Sequence, residues 1–409
     1  MSNQHQAATR RFAPDRSRCS LVSALVQRCF PQLICGRLVI DMPAGDRLII
    51  EGDRPGPQAR LTVHRLRCLW RLIVGGEVGF ADSYIAGDWS TPDLVALMRF
   101  GLSNARALTR SWWRRWPRPL ARLRHARNRN TRRGSRRNIA AHYDLGNEFY
   151  AHWLDVGMSY SAALFTKDAQ TLEEAQNAKL DRVFELLDIT EGQRVLEIGC
   201  GWGGLAERIV ERFRCHLTGL TLSQRQLVFA CRRLRERGLL NKSDLRLQDY
   251  RDVSETYDRI VSIEMLEAVG EAYWPTYFAK LRAALRSGGM AVIQVITIDE
   301  ARFETYRRRP DFIQHYIFPG GMLPTVAIVK RQIAAAGLQL VSSESFGPSY
   351  VRTLAEWQRR FQRTWPAIAA LGFDERFKRT WEYYLSYCQA GFEAGTVSVG
   401  LYKIAQCSA

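Results

Sequence analysis

The chain has 409 residues, 46% hydrophobic and 24% charged, enough for two domains with packed cores and against global disorder, a collagen or a coiled coil. Lys+Arg 59 against Asp+Glu 41 leaves a formal charge of +18, which excludes an acidic tail protein and predicts a polyanionic partner. Nine cysteines, an odd number with no CxxC pair, give no zinc or redox framework, and no metal site is expected. MSNQHQAATRRFAPDRSR has no apolar signal-peptide core, and no apolar run approaches the roughly 20 residues of a membrane span. The expected location is cytoplasmic, with reduced thiols and contact with a membrane only from its surface.

Residues 1–102 read as an auxiliary, smaller mixed α+β domain. GRLVIDMP and DRLIIEGD predict short strands, with turns at Pro43–Gly45 and Gly52-Asp53. Ser90-Thr91-Pro92-Asp93 predicts a helix over 94–100, with a hydroxyl N-cap and then Pro and Asp in the first turn. Residues 103–137 form a basic linker rich in Trp and Arg. Between Gly101 and Tyr143 there are 13 arginines and no Asp or Glu. Trp112, Trp113 and Trp116 beside this charge suit a membrane interface, where indoles sit at headgroup depth and guanidinium groups bind phosphate. The same pairing suits single-stranded nucleic acid, and a solvated linker is the bland alternative.

Residues 138–409 alternate helix and strand. Thr171-Leu-Glu-Glu174 is a capping box opening a helix with Ala175, Leu180, Val183, Leu186 and Leu187 near one face. RVLEIGCGWGG, HLTGLTL, SDLRLQDY, DRIVSIEML and MAVIQVIT read as strands, separated by helical stretches. Helices follow at 354–369 and 374–393, then a strand in VSVGLYKIAQ. The alternation predicts an α/β domain with a doubly wound parallel sheet. Its sharpest signal is Val195 to Gly204, an apolar strand entering a glycine turn that lets backbone N–H groups approach a ligand. Rossmann dinucleotide binders share such turns. Here an acid, Glu197, lies inside the strand, and the second strand ends in Thr221-Leu-Ser223 with Gln226 rather than in a ribose-binding acid. These features favour S-adenosylmethionine over NAD.

The run from Arg132 resembles the cyclopropane-fatty-acid synthase family of S-adenosylmethionine-dependent methyltransferases. The segments RRGSRRNIAAHYDLGNEFYAHWLD, MSYS, VLEIGCGWGGLA, GLTLSQRQ, LQDYRD, YDRIVSIEMLEAVG, YIFPGGMLP, FGPSYVRTLAEW and RFKRTWEYYLSYCQAGF stand in family order over about two-thirds of the chain. The resemblance implies a doubly wound seven-stranded class I methyltransferase sheet with helical lid insertions. It implies methyl transfer to the cis double bond of a phospholipid-bound acyl chain, with cyclopropane as the first product. Methyl-branched or methylene chains, or a non-catalytic lipid-binding homologue, are the alternatives.

By position, Tyr160 and Ser161 would touch the methionine end of the cofactor, and Gly199, Cys200, Gly201 and Gly203 would line the loop under it. Thr221, Ser223 and Gln226 would approach the ribose, and Gln248, Asp249 and Tyr250 the adenine. Cys200 and Tyr250 each also read as plain packing residues. Loss of a proton from the methylated chain would fall to a bound bicarbonate, held by Glu267, Tyr350 and backbone N–H groups at Ala162 and Ile296. Cys388 matches a family cysteine once proposed as nucleophile, though no step needs a thiolate. The chain departs from the family at Ala162, where Cys is usual, and at Gln294, where His is usual. The partners implied are an anionic phospholipid surface and an unsaturated acyl chain, with peripheral association at the inner membrane surface. Nucleic acid is not expected, since no [ND]-P-P-[YF] tetrapeptide occurs; a homodimer is left open.

Overall fold

A computed structural model of the chain describes residues 33–109 and 145–406. It divides into two compact units, residues 1–117 and 118–409. The linker from 110 to 137, with its three tryptophans, lies outside the described residues, as does the start of the family-like run up to 144.

In the first unit β1 (Cys35–Asp41) pairs antiparallel with β2 (Arg47–Glu51) and parallel with β3 (Arg54–Val63), whose far end pairs antiparallel with β4 (Trp89–Ser90). The sequence reading names β1 and β2 but not β3. Pro55 and Pro57 hide it, because they fall in the irregularity between the pairs Cys35↔Arg54 and Arg37↔Gln58, where no ladder N–H is needed. One expectation is corrected here. The helix begins at Leu94 and runs to Ser103, and its N-cap is Asp93, whose carboxylate accepts from Ala96 N at 2.9 Å. Ser90 lies in β4, so Pro92 and Asp93 precede the helix rather than filling its first turn. The side chain of Asp88 is fully buried and ion-paired to Arg65, Arg67 and Arg71, which ties the start of the helix Arg67–Ile85 to the entry of β4.

The second unit is built on seven strands: β5 (Arg194–Ile198), β6 (His216–Thr221), β7 (Ser243–Leu247), β8 (Tyr257–Ile263), β9 (Leu285–Ile298), β10 (Gln339–Ser345) and β11 (Val397–Ala405). Their order is β10-β11-β9-β8-β5-β6-β7. The pairs from β9 to β7 are parallel, as expected from the alternation. One edge departs from the parallel arrangement: β11 runs antiparallel to both β9 and β10. The cause is the connection. Two packed helices, Gly347–Ala370 and Glu375–Glu393, separate β10 from β11, and an out-and-back helix pair returns the chain to the end it left. A single crossover helix would have carried it to the opposite end.

β5, β6, β8 and β9 are buried along most of their lengths, which explains their near-continuous runs of Val, Leu and Ile. The core on one face includes Trp274, Tyr277, Phe278 and Leu281 of the helix Trp274–Ala284, packed with Ile260, Ile293 and Val295. The helix Leu172–Leu187 opens on the predicted capping box, with Thr171 Oγ1 accepting from Glu174 N at 3.2 Å and Thr171 N donating to Glu174 Oε2 at 2.8 Å. From β5 the chain winds outward through β6 and β7, then returns to β8 and β9 on the other side. The turns after β5 and β8 therefore diverge at a topological switch point, where α/β sheets form their ligand crevice. Among the described residues no helix is long and apolar enough to cross a membrane.

Candidate active site

The glycine turn follows β5. Gly199 N and Cys200 N both donate to Leu220 O, at 3.0 and 2.8 Å, pinning the turn to the end of β6. Gly201 has φ 51, and a Cβ placed there would meet no atom within 4 Å, so the turn presents bare backbone to open space. Gly203 serves packing: a Cβ on it would lie 2.9 Å from the Cβ of Ala230. Glu197, on β5, is buried, and its Oε2 has no hydrogen-bond partner. Burial pushes its carboxyl up to about 8 against the pull of Lys179. An open glycine cradle beside an orphaned acid fits a ligand carrying positive charge, as a sulfonium with an ammonium does. The residues present therefore fit S-adenosylmethionine.

The other cofactor-site residues expected from sequence lie at the same strand ends, largely bonded to one another. Thr221 Oγ1 donates to Gln226 Oε1 at 2.9 Å and accepts from Ser223 N, while Ser223 Oγ caps the helix Gln224–Glu236. Gln248 N donates to Thr221 O, joining the ends of β6 and β7. The carboxylate of Asp249 is held by Arg251 at 2.6 and 2.8 Å. Tyr250 packs edge-on to Tyr277 in the core, with its hydroxyl pushed up to about 12 by burial. The Cys200 thiol is buried and driven well above its usual range by that burial, with the Glu197 charge adding to it.

Tyr160 and Ser161 lie on the stretch before the helix Leu172–Leu187. The Tyr160 hydroxyl bonds that of Tyr384 at 2.8 Å, and its ring packs among Tyr150, Trp153 and Trp357. Ser161 Oγ accepts from Lys179 Nζ at 2.8 Å. Lys179 is only 2% exposed. Burial lowers its affinity for a proton, and the charges of Glu264, Asp155 and Glu197 raise it.

Three of the remaining predicted residues, Ala162, Gln294 and Tyr350, meet around a carboxylate that the sequence reading did not name. Glu264 is the first residue after β8 and takes φ 50, unusual for a residue with a side chain. Its N–H donates to Gln294 O at 2.9 Å. Its Oε1 accepts from Ala162 N at 2.9 Å and Gln294 Nε2 at 2.7 Å, and its Oε2 accepts from the Tyr350 hydroxyl at 2.8 Å. Desolvation raises its carboxyl above the usual range, opposed by these three donors and by Lys179. Glu267, in the short helix Leu266–Val269, accepts from Ile296 N at 2.5 Å through Oε1, while its Oε2 is buried without a partner. Burial pushes Glu267 up to about 8, and the Glu264 charge adds to the rise. Cys388, on the helix Glu375–Glu393, is held far above the thiolate range by burial, with Asp311 and Glu264 contributing. Of the predicted catalytic set, Ala162, Gln294 and Tyr350 gather on Glu264, and Ile296 on Glu267.

Glu264, Lys179 and Tyr384 were missed in the sequence. Two signals were available. Glu264 and Glu267 stand three apart across a strand-to-helix turn. Lys179 shares the inward face of its helix with Ala175, Val183 and Leu186.

A family model described as mycolic acid cyclopropane synthetase matches residues 130–401. The tuberculostearic acid methyltransferase of Mycobacterium tuberculosis is 41% identical over 350 residues, which is 83% of this chain and 81% of that one. The cyclopropane-fatty-acyl-phospholipid synthase of Escherichia coli K12 is 36% identical over 338 residues, 80% of this chain and 83% of its own. A crystal structure of a mycolic acid cyclopropane synthase complexed with SAH and CTAB superimposes with TM-score 0.62 at 30% identity, covering 66% of this chain and 98% of that one.

Proposed function

Because the chain belongs to the mycolic acid cyclopropane synthetase family, and is thus an S-adenosylmethionine-dependent methyltransferase that modifies lipids, we propose that it transfers a one-carbon unit to the cis double bond of an unsaturated phospholipid acyl chain. The observation that carries this reading is the pairing of a glycine cradle after β5 with a buried carboxylate cluster after β8, across the switch point of the sheet.

The co-substrate supplies an activated methyl group. The residues of this chain do the rest. The cradle at Gly201 and the orphaned Glu197 hold and orient the donor, which removes most of the entropy of bringing it to a weakly nucleophilic alkene. The wall formed by Tyr160, Trp153 and Trp357 excludes water from the cation left on the chain. A carboxylate of the cluster after β8 removes the proton that ends the reaction.

Ring closure gives a cyclopropane. A second reading, an open-chain methylated product, is supported by the 41% identical relative, whose name is that of a methyltransferase rather than of a cyclopropane synthase. The phospholipid comes from a bilayer, and we place the protein peripherally on an anionic surface. The 13 arginines between Gly101 and Tyr143 support this, as do Leu66, the N-cap of the helix Arg67–Ile85, and Trp70 and Val74 on its first turns, exposed at spacings of four.

The test is incubation with vesicles of unsaturated phospholipid and methyl-labelled S-adenosylmethionine, followed by mass spectrometry of the released fatty acids. Label in a chain heavier by one CH2 supports the reading, and the fragmentation separates ring from branch. Absence of label in the fatty acids would sink it.

A further inference from the structure

The geometry points to Glu264 as the base of the reaction, a carboxylate built into the chain at the anion site that a bicarbonate would otherwise fill. The inference rests on the acyl-chain reading above and gives the proton-removing step to one residue.

The donors are the first argument. Ala162 N–H, Ile296 N–H and the Tyr350 hydroxyl are the groups that would grip a bicarbonate. Each has one hydrogen to give. Ala162 and Tyr350 give theirs to Glu264, joined by the Gln294 amide, and Ile296 gives its own to Glu267. An incoming anion would find these donors taken, and would meet the negative charge of Glu264 at the place where it should bind. Bicarbonate does not fit.

The backbone is the second argument. Glu264 holds a left-handed conformation that is disfavoured for a residue with a Cβ. Strain of this kind persists only where the surroundings over-determine it. Here the Gln294 carbonyl takes its N–H, while three separate pieces of chain take its side chain.

The charge state is the third. A carboxylate has about four lone-pair sites, of which three are occupied, leaving one to receive a proton. Glu264 faces three donors and the buried Lys179, whereas Glu267 has a single donor. The pair therefore carries its one negative charge on Glu264, with Glu267 protonated near neutral pH. The Tyr350 hydroxyl is held well above its usual range by burial and remains a donor.

The step balances. The alkene π pair forms a bond to the methyl carbon as the C–S bond breaks, which releases S-adenosylhomocysteine and leaves a cation on the neighbouring chain carbon. Glu264 takes one proton from the added methyl, and the freed C–H pair closes the ring onto the cation. If a hydride first shifts from the methylated carbon to the cation, loss of a proton from the same methyl gives a methylene branch on the open chain. The proton leaves Glu264 to solvent as product departs.

The experiment measures label transfer into vesicle lipid in buffer freed of carbon dioxide and in buffer with added bicarbonate. The wild-type protein is expected to work equally well in both, within twofold. Glu264→Ala, which empties the anion site, is expected to lose about a hundredfold or more in the depleted buffer, the usual weight of a general base, and to regain at least tenfold with bicarbonate or formate. Glu264→Gln, of nearly the same shape, is expected to lose as much without rescue, while binding S-adenosylmethionine like the wild type by calorimetry. Wild-type activity that collapses on bicarbonate removal overturns the inference. So does Glu264→Ala working at the wild-type rate in depleted buffer. No label from the wild type in either buffer is a different failure, that of the acyl-chain reading itself.

Discussion

The Tyr350 hydroxyl donates to Glu264 Oε2 at 2.8 Å, joining the helix Gly347–Ala370 to the turn that ends β8. Hydrogen bonds to a charged group are worth about 1.5–3 kcal/mol. Tyr350→Phe should therefore slow methyl transfer about 10- to 100-fold. It should also raise the proton affinity of Glu264, because the ionised form loses a donor. The acid limb of the pH–rate profile should then move to higher pH. A slower enzyme with an unmoved acid limb would place Tyr350 in substrate positioning instead.

Glu197 and Glu267 both sit near 8 in the folded chain, against about 4.3 for an ordinary glutamate. Between those values the folded state binds more protons than the unfolded one. Stability should therefore be fully present below about 4.3 and fall as pH rises toward 8, by at most about 1.4 kcal/mol per pH unit for each group. Glu267→Gln stays neutral throughout, so thermal melts of this variant should show a shallower decline than the wild type. Parallel curves for the two proteins would mean that Glu267 is ionised when folded.

Cys388→Ala should keep methyl transfer within about threefold of the wild type, because burial beside Asp311 and Glu264 keeps the thiol protonated and unreactive. A loss of a thousandfold with an unchanged melting temperature would restore a chemical role for this sulfur.

The two glycine variants should separate ligand binding from packing. Gly201→Ala puts a methyl group into the open cradle at φ 51, and should weaken S-adenosylmethionine binding at least tenfold by calorimetry, with a stability loss near 1 kcal/mol. Gly203→Ala pushes a methyl group to 2.9 Å from Ala230, and should cost about 1–3 kcal/mol in a denaturant titration whether or not ligand is present.

The sheet was legible because strands buried on both faces must be apolar runs, and the glycine turn because four glycines in six residues leave few other readings. The antiparallel edge was not: both helices before β11 were read, but β10, QLVSSES, is too polar and exposed to read as a strand, so nothing showed that the helix pair joins two neighbouring strands. In the site, Ala162, Gln294 and Tyr350 were found by family position, without their common partner. Glu264 reads locally as a charged residue closing a strand. Its role depends on a left-handed φ and on bonds to residues 102 positions earlier and 86 later, which no local pattern encodes. The cap at Asp93 was misread for a smaller reason. Ser, Thr and Asp all cap helices, and only the extended backbone at Asp93 decides among them.

The register of β11 against β9 sets Leu401 opposite Gln294 and Val399 opposite Ile296. Those two β9 residues donate to Glu264 and Glu267. The strand that braces the donors thus comes after every other strand of the sheet in chain order. On the ribosome, the two carboxylates cannot be held in register until residue 401 has cleared the exit tunnel, long after the glycine turn has been made. A nascent chain acquires the strands of its methyl-donor cradle before the strand that braces its base, and a chain cut short within β11 is expected to bind its co-substrate without completing turnover.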